Sequence, residues 1–268
     1  MKFHDRPKRH QVLEALITEK NVLSAVILRD MRTRFFNHGL GFAIVPLWSL
    51  THMVVLIIIN SLAGRAAAFG ESMPLFLATG LVPTLTFMYV SRFMGYSVLM
   101  NAPMLAFPVV TSLDVMFGRG CLEIISSSIT LTVIMVILWA IGQNPWPFDL
   151  EQAVSCYMAV ILLAVGCGTL VGVVGMFLPM ILTVWQIALV CLYISSGTMF
   201  VASNLPDQIA VALSYNPVLQ CVEWMRTAYY ESYSDKLVDP MYVWGFGLVT
   251  LALGLTVERV FRRQMLEG

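Results

Sequence analysis

Charge is scarce in this chain. Only 12% of its 268 residues are Asp, Glu, Lys or Arg, while 58% are hydrophobic. Soluble domains carry about 25% charged and about 45–50% apolar residues. A water-soluble core has no room for so much apolar surface, so lipid is the expected solvent along much of the chain. The formal net charge is zero, which argues against nucleic acid as a partner. The motifs of several chemistries are also missing. There is no G-x-x-x-x-G-K-[ST] phosphate loop, no H-E-x-x-H, no G-x-S-x-G and no D-x-D pair, which excludes ATP hydrolysis by the phosphate-loop route and the matching hydrolase classes. The five cysteines form no C-x-x-C pair and no zinc spacing with histidine, so neither a disulfide framework nor a metal site is expected. No catalytic residue is assigned. The first 40 residues are charged and amphipathic rather than a short apolar leader, so no cleaved signal peptide is expected.

What the sequence has is long apolar runs. Six are candidate membrane spans, at residues 42–62, 74–96, 115–141, 154–177, 181–200 and 241–257. The breaks between them carry Gly64 and Gly70, Pro103 and Pro108, Asn144 to Pro147, Pro179, and Asn204 with Pro206. Eleven of the sixteen lysines and arginines lie before the first run or after the last. An even number of spans puts both ends on one side, and the positive-inside rule makes that side cytoplasmic. Trp139, Trp146, Tyr242 and Trp244 fall where the opposite interface should lie. The fourth run carries Gly166, Gly168, Gly172 and Gly175, which reads as close helix packing.

Three segments between the spans look structured. In residues 21–36, Leu23, Ile27, Met31 and Phe35 recur every four residues beside Val22 and Val26, giving one apolar helical face. Arg29 and Arg32 fall opposite it, and Asp30 and Arg34 are spaced as an i,i+4 pair. Such a helix would lie in the cytoplasmic interface. Residues 97–114 form an apolar loop framed by Pro103 and Pro108, either a docking surface for a soluble partner or a segment folded back on its own bundle. Residues 204–240 hold two short helical stretches parted by Pro217. Neither can span, so they suit re-entrant or interfacial helices. At the start of the third run, Arg119 and Glu123 are one turn apart, with Asp114 nearby. Two readings stand for these charges: an ion pair that fixes the helix start, or direct coupling and gating. Glu223 and Arg226 invite the same two readings. Arg92 is expected to snorkel to the headgroups. His52 and Asn60 are expected to face the bundle.

Several local patterns, in order, carry a resemblance. They are L-R-D-M-R-T-R-F at Leu28 to Phe35 with G-L-G-F after it, G-L-V-P at Gly80 to Pro83, the Asp114, Arg119 and Glu123 spacing, and N-P-V at Asn216 to Val218 followed by Glu223 and Arg226. The chain resembles the permease subunits of ABC-2 type exporters, most closely those that export capsular polysaccharide, from about Asn21 to Arg263. The resemblance implies an all-α membrane protein in which residues 1–268 form one transmembrane domain of six helices, with an N-terminal amphipathic interface helix and outer re-entrant helices. It implies a homodimer in the bacterial inner membrane that docks two separate ATPase subunits, which bind the ATP and Mg; this chain itself holds no cofactor. Arg29, Arg32 and Arg34 would then face the ATPase, with Pro103, Phe107 and Pro108 in the coupling loop. Asn216, Pro217, Glu223 and Arg226 would belong to an outer gate. The cargo implied is a lipid-linked polysaccharide, with further periplasmic and outer-membrane export proteins beyond. Three alternatives remain at this stage: an ABC-2 exporter of a drug or lipid-linked oligosaccharide, an intramembrane glycan transferase, and an assembly or scaffold protein without transport activity. One departure from the family pattern is F-A-I-V-P-L-W at the start of the first span, where the tryptophan and proline are displaced.

Overall fold

The computed structural model describes residues 8–33, 44–107 and 109–267. They are helical, with no strand among them. In chain order the helices are α1 (Lys8–Thr33), α2 (Ile44–Leu62), α3 (Met73–Met100), α4 (Ser112–Ala140), α5 (Leu150–Phe177), α6 (Met180–Ile194), α7 (Asp207–Ser214), α8 (Pro217–Tyr229) and α9 (Pro240–Glu267). A 3₁₀ turn, Ala102–Ala106, follows α3, and another, Ala202–Asn204, precedes α7.

Among the described residues, five helices are long and apolar enough to cross a membrane: α2, α3, α4, α5 and the first 22 residues of α9. The run expected as the fifth of six spans, 181–200, is a 15-residue helix instead. Its apolar sequence continues, but Ser195 takes back the Cys191 carbonyl, and Gly197 turns the chain at φ +75°. Only glycine adopts that conformation without strain. The other boundaries shift for local reasons. α4 starts three residues early because Thr111 and Asp114 form a capping box. α5 starts at Leu150 because the Asp149 side chain accepts from the Gln152 amide. α9 runs past residue 257 into the charged tail, because hydropathy marks contact with lipid and not the end of a helix.

Helix α5 lies between α3 and α9, and glycines set both contacts. A Cβ on Gly166 would overlap Thr250 and the Gly247 carbonyl of α9. One on Gly168 would sit 2.9 Å from Met94 Cβ, and one on Gly172 2.7 Å from Met116 Sδ. The glycines of the fourth run therefore serve close helix packing, here on two faces at once. α2 packs on α3 and α4, α6 on α3 and α5, and α8 across α3 and α5. Of the apolar window of α3, 72% is buried, against 17% for α9 and 22% for α2. The last two thus leave broad apolar faces for a bilayer or a partner.

Candidate functional site

Two clusters of buried charge lie at opposite ends of the bundle. At one end α1 packs along α4. Val22, Leu23, Val26 and Ile27 lean on α4, where Gly118 has no side chain; a Cβ there would be 2.9 Å from Val26 Cγ1. One turn beyond Val26, Asp30 falls on the same face and is 5% exposed. Its carboxylate accepts from Arg119 Nη1 at 2.9 Å. Arg119 Nη2 contacts Glu123 Oε1 one turn further along α4, and its guanidinium stands 4.8 Å from the Phe93 ring of α3. Buried charges persist only when paired, and here an arginine spans two carboxylates and an aromatic face. The expected i,i+4 pair is formed. The expected partner of Asp30, Arg34, lies outside the described residues, and Asp30 is joined to Arg119, 89 positions away. The helix periodicity already placed an acid among Val26, Ile27 and Met31, and that misfit was the available signal.

Asp114 does not join this cluster. It accepts from the Thr111 amide at 2.7 Å and from the Thr111 hydroxyl at 2.8 Å, closing the capping box. Next to it, the Ser112 hydroxyl donates to the buried Glu258 of α9 at 3.2 Å. The 3₁₀ turn rests on α1 through Met104, which packs with Val26 and Val115. Its outer side is apolar and open: Phe107 is 63% exposed, with Leu99, Met100 and Val109 exposed around it. Pro103 lies in the first turn of the 3₁₀ segment and is exposed. Arg29 is on the exposed side of α1. Arg34, Pro108 and the Arg32 side chain lie outside the described residues.

At the other end, α8 is the centre. Asn216 caps it, accepting from the Val218 amide, with Pro217 at the first turn as proline prefers. The Asn216 amide also donates to the Leu192 carbonyl and the Ser195 hydroxyl, tying the start of α8 to the end of α6. Arg226 is fully buried. Its Nη1 and Nη2 donate to the Phe200 and Thr198 carbonyls, each at 2.9 Å, and its guanidinium lies 4.0 Å from the Phe76 ring. Glu223 lies 3.6 Å from it and accepts from the Tyr233 hydroxyl at 3.0 Å and the Ala202 amide at 3.4 Å. Burial raises the Glu223 carboxyl above the ordinary range, and Arg226, Tyr233 and the Ala202 amide oppose that shift. Gly80 admits this arrangement, since a Cβ there would be 3.0 Å from Thr198 Cα and 3.2 Å from Arg226 Nη2. The sequence marked Gly80, Glu223 and Arg226 but not Tyr233, Thr198 or Phe76. Nearer the surface, a hydrogen bond from Lys236 holds the Asp207 carboxyl below its usual range.

No family model matches the chain. Curated relatives do, along nearly its whole length. It is 29% identical over 248 residues to the polysialic acid transport protein KpsM of Escherichia coli, covering 92% of this chain and 96% of that one. It is 27% identical over 255 residues to the capsule polysaccharide export inner-membrane protein CtrC of Neisseria meningitidis, covering 94% and 95%. It is 25% identical over 247 residues to the capsule polysaccharide export inner-membrane protein BexB of Haemophilus influenzae, covering 88% and 92%. Along nearly its whole length, and with a bundle of membrane-length helices among its described residues, the chain is similar to capsule polysaccharide export inner-membrane proteins.

Proposed function

We propose that this chain is the membrane permease subunit of an ATP-driven exporter that moves lipid-linked capsular polysaccharide across the inner membrane of a Gram-negative bacterium. The observation that carries this reading is the end-to-end similarity to proteins named for polysialic acid transport and capsule polysaccharide export. Two copies would pair around the path, and two ATPase subunits would bind the ATP and Mg. The chain crosses the membrane six times in this reading. Support comes from α6 and the turn after it: Leu182 meets Gly95 of α3, and Thr198 meets Gly80 and Thr84 of α3. They thus run beside fifteen residues of that span, about 22 Å at 1.5 Å per residue. Six crossings and the excess of basic residues at both ends make the α1 end cytoplasmic.

In this arrangement α1 is the interface helix. Arg29, Arg32 and Arg34, with Pro103, Phe107 and Pro108 of the loop, face the ATPase, while Asp30, Arg119 and Glu123 pass its motion to α3 and α4. α7 and α8 enter the outer leaflet without crossing, and Asn216, Pro217, Glu223 and Arg226 hold the closed outer gate. Rigid-body rocking of the spans would then expose the path alternately to each side. The carboxylates available to an intramembrane transferase, Asp114 and Glu123, are taken up by Thr111 and Arg119.

The test is purification in mild detergent with mass spectrometry of what comes along. A stoichiometric partner bearing a G-x-x-x-x-G-K-[ST] loop is expected, and Phe107→Asp should release it while leaving the thermal stability of this chain within about 0.5 kcal/mol, as for surface substitutions. A homo-oligomer with no ATPase would overturn the reading.

A further inference from the structure

Toward the α8 end, α4 stands apart from α5. Both helices pack on α3, yet they hardly touch one another, and a cleft with a cavity of about 150 Å³ lies between them. Leu131 and Leu138 of α4 line one wall, and Leu150, Val154 and Tyr157 of α5 the other, while Ala78 of α3 and Met225 of α8 complete the lining. The mouth faces away from the bundle: Leu150 is 59% exposed, Val154 50% and Met158 47%, whereas Tyr157 and Met225 are 7% and 5% exposed. From Leu138 to Leu131, and from Leu150 to Tyr157, each wall runs for about 10 Å at 1.5 Å per residue. One leaflet of hydrocarbon is about 15 Å deep, so the cleft reaches through most of it. The exposed Trp139, Trp146 and Phe148 flank its end, as aromatic side chains do at a membrane interface.

No charged side chain lines the cleft among the described residues. The Thr79 hydroxyl donates to the Phe76 carbonyl at 2.9 Å, and the Tyr157 hydroxyl lies 3.4 Å from the Ser128 hydroxyl, so little inside calls for water. An apolar cavity of this size stays dry and takes up hydrocarbon. A neighbouring helix, about 10–12 Å across, is too wide to enter, and a single acyl chain is not. The rim supplies the sign of the headgroup. Asp149 caps α5 and Glu151 lies in its first turn, one turn before Val154. No lysine or arginine occurs from residue 120 to residue 225. An anionic headgroup finds no cation on these walls or on the loop that joins them, whereas an ammonium group finds carboxylates that can accept its N–H donors.

We infer that the cleft between α4 and α5 binds one acyl chain of a phospholipid with a primary ammonium headgroup, with Glu151 at the headgroup and Tyr157 and Met225 at the chain. The chain would rest on α8 one residue from Arg226, bracing the buried ion cluster from the lipid side.

The experiment places the full chain in phosphatidylcholine nanodiscs. The discs are doped with a phosphatidylethanolamine or a phosphatidylglycerol that carries a diazirine in one acyl chain. After illumination, labelled residues are mapped by mass spectrometry. Labelling is expected at Tyr157 and Met225, which bulk lipid does not reach. The ethanolamine lipid should be favoured about two- to fivefold, the scale of an exposed ion pair. Glu151→Gln should remove that preference and leave the labelling itself. Ala153, buried in the lining, offers the filling variant. Ala153→Phe should cut labelling at both sites about tenfold, the scale of displacing two buried methylenes, while Val136 on the open face of α4 labels as before. Should that variant not fold, Val154→Trp narrows the mouth from the lipid side and should act alike. A wild type unlabelled at Tyr157 and Met225 overturns the site. So does labelling there that survives Val154→Trp and Ala153→Phe, or a crosslink at those residues to a second copy of the chain in place of lipid. Equal labelling by the two lipids overturns the headgroup assignment.

Discussion

The two buried ion clusters use the same residue types in opposite ways. At the α8 end, Glu223 and Arg226 come from one helix, three residues apart, and the surrounding turn closes on them with backbone carbonyls and an amide. At the α1 end the pair joins separate elements, with Asp30 on α1 and Arg119 on α4. An ion pair within one helix reports little on how that helix moves. A pair between two helices holds them in register and is lost when they part. The first arrangement suits a fixed roof and the second suits transmission. Arg226 is fully buried while α1 lies on the periphery, so the stability of the protein should depend on the α8 end and its coupling on the α1 end.

Substitutions at each end sharpen this contrast. The largest effect on folding is expected from Arg226→Met, which strands Glu223 and two carbonyls in a dry site. A loss of about 3–5 kcal/mol is expected, read as a large drop in unfolding temperature in detergent, and Glu223→Gln in the same chain should restore part of it. Asp30→Asn should cost less, about 1.5–3 kcal/mol for a hydrogen bond to a charged group, because Arg119 keeps Glu123. If Asp30→Asn proves more destabilising than Arg226→Met, the contrast fails. The two glycines make a finer comparison. A Cβ at Gly80 meets backbone, Thr198 Cα at 3.0 Å, whereas one at Gly118 meets a methyl of Val26 at 2.9 Å. Gly80→Ala should therefore cost about 1–3 kcal/mol by overpacking. Gly118→Ala should cost less, since α1 can shift outward, and its effect should appear in transport. Tyr233→Phe, which removes one hydrogen bond from Glu223, is the smallest change, at about 1 kcal/mol in the same unfolding assay.

Much of this molecule was readable before its coordinates. Apolar runs fix the long helices because each must bury or expose a continuous surface to lipid, and five of the six expected spans are helices of that length. The Asn216-Pro217 start of α8 and the Arg119–Glu123 pair are local, so spacing alone describes them. What escaped depends on distant partners or on short polar breaks. Asp30 has the spacing for Arg34, which lies outside the described residues, and its bond to Arg119 on α4 is one that no local spacing could show. Tyr233 and the Thr198 and Phe200 carbonyls reach Arg226 only because the chain folds back over α8. The shortening of α6 rests on Ser195, Ser196 and Gly197 inside an apolar run, where hydropathy averages them away. The glycines of α5 announced close packing but not against which helices.

The most direct test of the account measures ATP turnover and polysaccharide uptake together, in inverted membrane vesicles containing this chain and its ATPase. With Asp30→Asn, hydrolysis should continue while uptake falls at least tenfold, because in the proposed arrangement α1 would still bind the ATPase but no longer move α4. Uptake that stays proportional to hydrolysis would contradict the claim that this ion cluster carries the coupling.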